Sequence, residues 1–286
     1  MNTLFFSRRF AVIAALLILI SPVFLAAQAD KSKSVATMAQ ADTLLAREDF
    51  TGALAIYNKI LDESKTVSDE DFSAYYKRAF CYYGLEQFDQ ALKDINQYIQ
   101  KIPDDQAKLL RAYINQELGN YNDQLKDINE FITAHPENLE LLQWRASVLM
   151  EMENYKDAQK DIRQLLKYQN SAELKSYLGL TYYYLDDPDS ALMVFDEVIT
   201  IDPNHMQTYL YATSLSLEQA AYELALRYVE QGLKKDPTNN TLLFYKGIAL
   251  VETERVTEGC RCLTKVFAAG FDDAGDYLKS YCYGVE

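Results

Sequence analysis

Apolar residues along the chain follow a pattern that restarts about every 34 residues. In each recurrence a polar turn such as Asn-Tyr-x-Asp leads into an aliphatic run, and several of these runs end near a proline. Such self-similarity at a fixed period predicts stacked supersecondary units, because one unit cannot bury its apolar face alone. Each recurrence is long enough for two helices and a tight turn, so the sequence predicts an all-α array.

Three sets of positions fix the register of the pattern. A residue that opens the second helix of each unit recurs mostly 33 or 34 residues apart and once 38 apart, at Phe50, Phe88, Tyr121, Tyr155, Pro188, Tyr222 and Val256. Three residues later stand mostly small side chains, as a close helix crossing requires, at Ala53, Ala91, Gln124, Ala158, Ala191, Ala225 and Gly259. Prolines close four of the units, at Pro103, Pro136, Pro203 and Pro237.

These marks resemble the tetratricopeptide repeat, a 34-residue helix–turn–helix with a small residue midway along its first helix, an aromatic and an Ala opening the second, and a terminal Pro. The first-helix small position is Ala or Gly in every unit except one, where it is Thr213, and the fifth unit has Pro188 in place of the aromatic. The resemblance implies a right-handed α-solenoid of about seven repeats. Its expected units are 34–67, 72–104, 105–138, 139–171, 172–205, 206–239 and 240–273. A loop is expected at 64–71 and a single capping helix at 274–286, because the open end of an array needs a cover.

The amino terminus has the layout of a secretory signal at residues 1–29. Two arginines precede an apolar run at residues 10–20, Pro22 breaks the run, and small residues follow. We expect cleavage before Asp30, or after Ala27, and a mature protein in the periplasm or outside the cell. The alternative is an uncleaved membrane anchor, since the apolar stretch is close to the lower limit for spanning.

Composition excludes several classes of partner. The formal net charge is −14 at pH 7, with 28 basic and 42 acidic residues. A chain of that sign repels phosphate backbones and anionic lipid surfaces, so neither nucleic-acid binding nor membrane binding after signal cleavage is expected. The acidic, tyrosine-rich composition, with 22 Tyr, resembles exported repeat proteins of Bacteroidota.

A second regularity pairs opposite charges within the middle units. An Arg on the first helix precedes an Asp on the second by 16 residues, at Arg78 and Asp94, Arg111 and Asp127, and Arg145 and Asp161. A charged stripe for a ligand would use these residues, but we favour an ion pair that fixes the register of the two helices.

No constellation of residues predicts catalysis. His135 and His205 lie in turns between units without Cys or His neighbours at zinc-ligand spacing. The sequence contains no Gly-rich phosphate loop, nucleophile elbow or His-Glu-x-x-His segment. We therefore expect a non-enzyme with no metal and no cofactor.

The four cysteines allow two interpretations. In an oxidising compartment Cys282 on the capping helix could pair with Cys260 or Cys262 on the helix before it. Alternatively all four, including Cys81, are small apolar fillers.

The resemblance also implies a binding surface, because in this family the first helices line a concave groove that takes a peptide or a partner helix. The corresponding positions here are Tyr76, Phe80, Tyr83, Leu109, Tyr113, Gln143, Ser147, Ser176, Leu180, Tyr183, Leu210, Ser214, Leu217, Phe244, Ile248 and Val251. A subgroup of the family grips chaperone carboxylates with Lys and Asn at these positions, and neither residue type occurs at them here. Tight curvature would instead bury part of this stripe as core.

Two functions of different class fit this surface. The first is an exported scaffold whose aromatic groove binds a segment of another envelope or secreted protein. The second is a carrier or accessory protein that holds an apolar small molecule or a glycan in the same groove. Self-association is a third possibility, and the oligomeric state does not follow from the sequence.

Overall fold

The computed structural model describes residues 31–63 and 72–283. The expected signal at 1–29, the expected loop at 64–71 and the end of the capping segment at 284–286 lie outside these described residues. Within them the regular structure is entirely helical, in fifteen helices. The chain divides into two compact units, one ending at Glu137 and the other beginning at Asn138.

The first unit contains six described helices, each packed against the next along the chain. They are α1 (Lys31–Leu45), α2 (Phe50–Glu63), α3 (Ser73–Gly84), α4 (Phe88–Lys101), α5 (Asp105–Glu117) and α6 (Tyr121–Ala134). Helix α1 begins at Lys31, three residues before the expected start of the first repeat at 34. Expected small positions such as Ala53, Ala79 and Ala91 are fully buried, which lets neighbouring helices approach closely.

The second unit contains nine described helices, again packed each against the next. They are α7 (Leu139–Glu151), α8 (Tyr155–Leu165), α9 (Ala172–Tyr184), α10 (Pro188–Ile201), α11 (Met206–Glu218), α12 (Tyr222–Lys235), α13 (Asn240–Glu252), α14 (Val256–Ala268) and α15 (Ala274–Tyr281). Gly179 on α9 marks a close crossing, because a Cβ there would collide with the ring of Phe195. Pro188 is the first residue of α10, where its missing N–H costs nothing.

The turn inside each helix pair places one residue in the left-handed region. Gly119 adopts φ 71°, but the same turn is made by non-glycine residues elsewhere, including Glu153 at φ 58°, Asp186 at φ 59° and Ala220 at φ 54°. A side chain in this conformation costs about 1 kcal/mol or more, which the packing of the two helices must offset.

The three predicted Arg–Asp pairs are confirmed. Arg111 Nε and Nη2 donate to the two carboxylate oxygens of Asp127 at 2.8 and 2.6 Å, and Nη1 donates to Asn96 on the preceding helix at 2.9 Å. Arg78 donates in the same two-pronged way to Asp94, and Arg145 to Asp161, in each case from Nε and Nη2. The Asp127 side chain is only 1% exposed, so the pair joins helices rather than presenting charge to a ligand.

The carboxyl-terminal helix α15 is attached covalently and by apolar packing. Cys260 on α14 and Cys282, which follows α15, form a disulfide with Cα atoms 5.7 Å apart. Tyr277 packs edge-on against the ring of Phe244, with ring centroids 5.6 Å apart. Cys262 is a free, half-buried thiol. Helix α15 therefore covers the apolar end of the last helix pair.

Candidate partner-binding surface

The expected groove residues of the first unit divide between core and surface. Phe80 is 2% exposed and packs against Phe50, with ring centroids 6.3 Å apart, and Tyr83 is 6% exposed. Both side chains belong to the core, because they pack against residues of the neighbouring helices, Phe80 against Phe50 and Tyr83 against Phe88. Tyr76, Leu109 and Tyr113 are half-buried and keep part of their surface in solvent.

Tyr76 belongs to an aromatic cluster between α3 and α4. Its ring lies 5.4 Å from that of Tyr98, and the Tyr98 ring stacks 6.3 Å from that of Phe72. Lys101 Nζ sits 4.6 Å above the Phe72 ring. Burial, with a further contribution from the charge of Asp104, raises the pKa of Tyr76. These contacts fix the rings in place and leave them limited freedom to rearrange around a ligand.

The expected groove residues of the second unit show the same division. Leu180 and Phe244 are each 8% exposed and lie in the core, as do Ser176 at 3% and Val251 at 6%. Gln143 is exposed. The remaining positions are half-buried; they are Ser147, Tyr183, Leu210, Ser214, Leu217 and Ile248.

A tyrosine cluster lies where α9 ends and α8 begins. Tyr184, the last residue of α9, stacks on Tyr155, the first residue of α8, with ring centroids 4.4 Å apart and an interplanar angle of 12°. Tyr183 lies 5.0 Å from Tyr184, ring centroid to ring centroid. The Tyr184 side chain remains 50% exposed, although tyrosine ordinarily buries much of its ring. A stacked aromatic pair with one exposed ring is a candidate contact surface.

A carboxylate anchors this cluster from the next repeat. The Tyr183 hydroxyl donates a short hydrogen bond to Oε1 of Glu218, the last residue of α11. Burial, followed by this hydrogen bond and the charge of Glu218, raises the pKa of Tyr183, so its hydroxyl stays protonated at neutral pH. The Ser214 hydroxyl also donates to Glu218 Oε1, at 3.4 Å.

A cavity of about 280 Å³ opens beside these side chains. It lies between the carboxyl-terminal ends of α9 and α11 and the amino-terminal end of α10. Its lining is formed by Tyr183, Tyr184, Asp186, Pro188, Leu215, Glu218 and Gln219. We call these seven residues, together with Tyr155, the tyrosine surface.

Most residues of the tyrosine surface are not among the groove residues that the sequence predicts. Only Tyr183 was expected in the groove, whereas Tyr184, Tyr155, Asp186 and Glu218 were not. The sequence does contain a pattern that could have indicated this surface. Three consecutive tyrosines at 182–184 are followed, after Leu185, by the acidic residues Asp186 and Asp187 of the turn. The repeat period also places position 217 opposite Tyr183, with Glu218 adjacent.

Neither a metal site nor a membrane span is found among the described residues. No three of their His, Cys, Asp and Glu side chains are grouped so as to hold a metal ion. None of the described helices combines the length and apolar character that crossing a bilayer requires.

Comparison with known proteins identifies the repeat. Residues 38–106 and 145–205 match the sequence model of the tetratricopeptide repeat family. These two stretches are therefore tetratricopeptide repeats, and the fold class is the all-α solenoid of such repeats. A search of curated proteins gives no match.

Solved structures with the same fold include two from Bacteroidota. The carboxyl-terminal part of a tetratricopeptide-repeat protein from Cytophaga hutchinsonii has a TM-score of 0.65 at 19% identity, covering 84% of this chain and 98% of that one. A tetratricopeptide-repeat protein from Parabacteroides merdae has a TM-score of 0.53 at 15% identity, covering 85% and 96%. YrrB, described as a tetratricopeptide-repeat protein with an unusual peptide-binding site, has a TM-score of 0.50 at 20% identity, covering 66% and 97%. At these identities the likeness concerns the fold.

Proposed function

We propose that the protein is an exported, non-catalytic scaffold that binds a segment of another envelope or secreted protein. The tetratricopeptide repeat is a fold whose stacked first helices present extended binding surfaces. YrrB, which shares the fold, is described as having a peptide-binding site. The proposal for this chain rests on its own side chains, and above all on the tyrosine surface.

One observation carries the proposal: the exposed ring of Tyr184 stacks on the half-buried ring of Tyr155. Tyrosine supplies a large contact area at little cost in rotamer entropy, and it is enriched among residues that dominate interface energies. The neighbouring Tyr183 is held by Glu218, so the rings are positioned before a partner arrives. Binding to a preorganised surface avoids much of the entropic cost of ordering it.

Export is supported by two features at opposite ends of the chain. Residues 1–29 have the charged, apolar and small-residue order of a secretory signal, and this segment lies outside the described residues. The disulfide between Cys260 and Cys282 suits an oxidising compartment, since disulfides are rare where thiols are kept reduced. Together they favour the periplasm or the cell exterior as the place of action.

The carrier function has weaker support than the scaffold function. Cavities that enclose small ligands are usually between about 300 and 1,000 Å³ and mostly apolar. The cavity at the tyrosine surface has about 280 Å³ and includes two carboxylates, Asp186 and Glu218, in its lining. An apolar lipid would leave those charges without compensation.

Affinity capture with matched tyrosine variants tests the scaffold proposal. The tagged full chain, expressed in the organism that makes it, is compared with a Tyr184→Ala variant and a Tyr168→Ala control. Tyr168 is 68% exposed and lies just before the first residue of α9. Tyr184 is the last residue of α9, and a helix of 13 residues is about 20 Å long, so about that distance along the helix separates the two tyrosines.

The proposal predicts a polypeptide retained by the parent and by the Tyr168 variant, and reduced about tenfold or more by Tyr184→Ala. Circular dichroism of the purified variants checks that the helix content is unchanged. Equal retention by all three proteins would place the binding surface elsewhere on the molecule and contradict the proposal.

A further inference from the structure

We infer that the cavity in the tyrosine surface receives an arginine side chain of the bound partner segment. The inference rests on the proposed scaffold function and adds the chemistry of the residue that is recognised. The first observation is that the lining of the cavity is negatively charged. Of the seven lining residues, two are carboxylates and none is Lys or Arg.

Both carboxylates have capacity left for a ligand. The hydrogen bonds that Glu218 accepts from Tyr183 and Ser214 both end on Oε1. Within the described part of the chain, Glu218 Oε2 and the Asp186 carboxylate accept no hydrogen bond and form no ion pair. Two unneutralised carboxylates beside one cavity attract a cation.

Helix geometry adds to the negative potential. Helices α9 and α11 both end at the cavity, with Tyr184 and Glu218 as their last residues. The aligned peptide dipoles give the carboxyl-terminal end of a helix a partial negative charge. The formal net charge of −14 favours a basic partner over the longer range as well.

The aromatic walls favour arginine among the cations. The rings of Tyr183 and Tyr184 line the cavity beside the two carboxylates. A guanidinium group is planar, stacks on aromatic rings and donates two parallel hydrogen bonds to a carboxylate. The more strongly hydrated ammonium group of lysine offers a point charge and cannot make the stacked, forked contact.

The test uses a short peptide of defined sequence, acetyl-Gly-Ala-Arg-Ala-Gly-amide, and the same peptide with citrulline in place of arginine. Citrulline keeps the shape of the side chain and removes its charge. Binding to the full protein is followed by saturation-transfer NMR, with dissociation constants taken from peptide titrations. We expect the arginine side-chain protons to receive the strongest saturation, and the citrulline peptide to bind about tenfold more weakly.

Two matched variants locate the site. Glu218→Gln removes the charge at the cavity, whereas Glu252→Gln removes an equivalent exposed carboxylate that accepts a hydrogen bond from Tyr281, at 3.1 Å. Glu218→Gln should weaken binding of the arginine peptide about fivefold or more, and Glu252→Gln should leave it unchanged. Thermal unfolding of both variants confirms that they fold.

Several results would overturn the inference. They are an equal affinity for the arginine and citrulline peptides, equal effects of the two Glu variants, or no binding of the arginine peptide at millimolar concentration. None of these outcomes depends on the capture experiment with the Tyr184 variant, so the scaffold proposal can stand when this inference fails.

Discussion

Replacing Arg111 by Met should destabilise the protein far more than the loss of a surface charge. The change leaves the Asp127 carboxylate, 1% exposed, without its cation in the space between α5 and α6. Removing one partner of a buried ion pair costs about 3–5 kcal/mol. Because the Arg111 side chain is 20% exposed and solvent already reaches part of it, we expect about 3 kcal/mol, at the lower end of that range.

Urea unfolding followed by circular dichroism measures this free energy. The double variant Arg111→Met with Asp127→Leu removes both charges, and it should recover to within about 1 kcal/mol of the parent, because an apolar pair needs no compensation. Lys160→Met is the control, since its pair with Asp157 is exposed at 68% and 48% and is worth less than about 1 kcal/mol. A cost for Arg111→Met no larger than that of the control would refute the structural role of the pair.

Three further predictions concern local features of the second unit. Ala220→Gly should raise the free energy of unfolding by about 0.5–1 kcal/mol, because Ala220 adopts φ 54°; an unchanged urea midpoint would contradict this. Burial and the hydrogen bond to Asp196 raise the pKa of Tyr228 to about 12, so its contribution to stability is complete below pH 10 and is lost as the pH rises toward 12. Tyr228→Phe should make that alkaline loss shallower, and an identical pH profile would argue against it. Cys282→Ser should cost about 3 kcal/mol, given the 22-residue separation from Cys260, and intact-mass measurement with and without reductant checks the bond in the parent.

The helical register could be predicted because it depends on local, repeated chemistry. The small residues at fixed positions and the Arg–Asp spacing of 16 residues each recur within one helix pair. The Arg111–Asp127 contact follows directly, since that spacing places the two side chains opposite each other across the turn. Predicting this contact requires no information about helices outside that helix pair.

The division between core and open surface could not be predicted in the same way. Phe80 and Tyr76 lie one helical turn apart and have similar character, yet Phe80 is 2% exposed while Tyr76 is half-buried. The difference depends on the neighbouring helices, such as the approach of Phe50 to Phe80. The Tyr183–Glu218 contact spans 35 residues, and its geometry depends on how successive first helices pack.

Photo-crosslinking at position 184 tests whether a partner polypeptide binds at the tyrosine surface. A photoreactive phenylalanine analogue replaces Tyr184 in the full chain, and in a second protein it replaces Tyr168, which is 68% exposed. Both proteins are produced and irradiated in the native organism. We expect a discrete polypeptide adduct from position 184 that is absent from position 168. An adduct pattern that is the same from both positions, or no adduct from position 184, would contradict it.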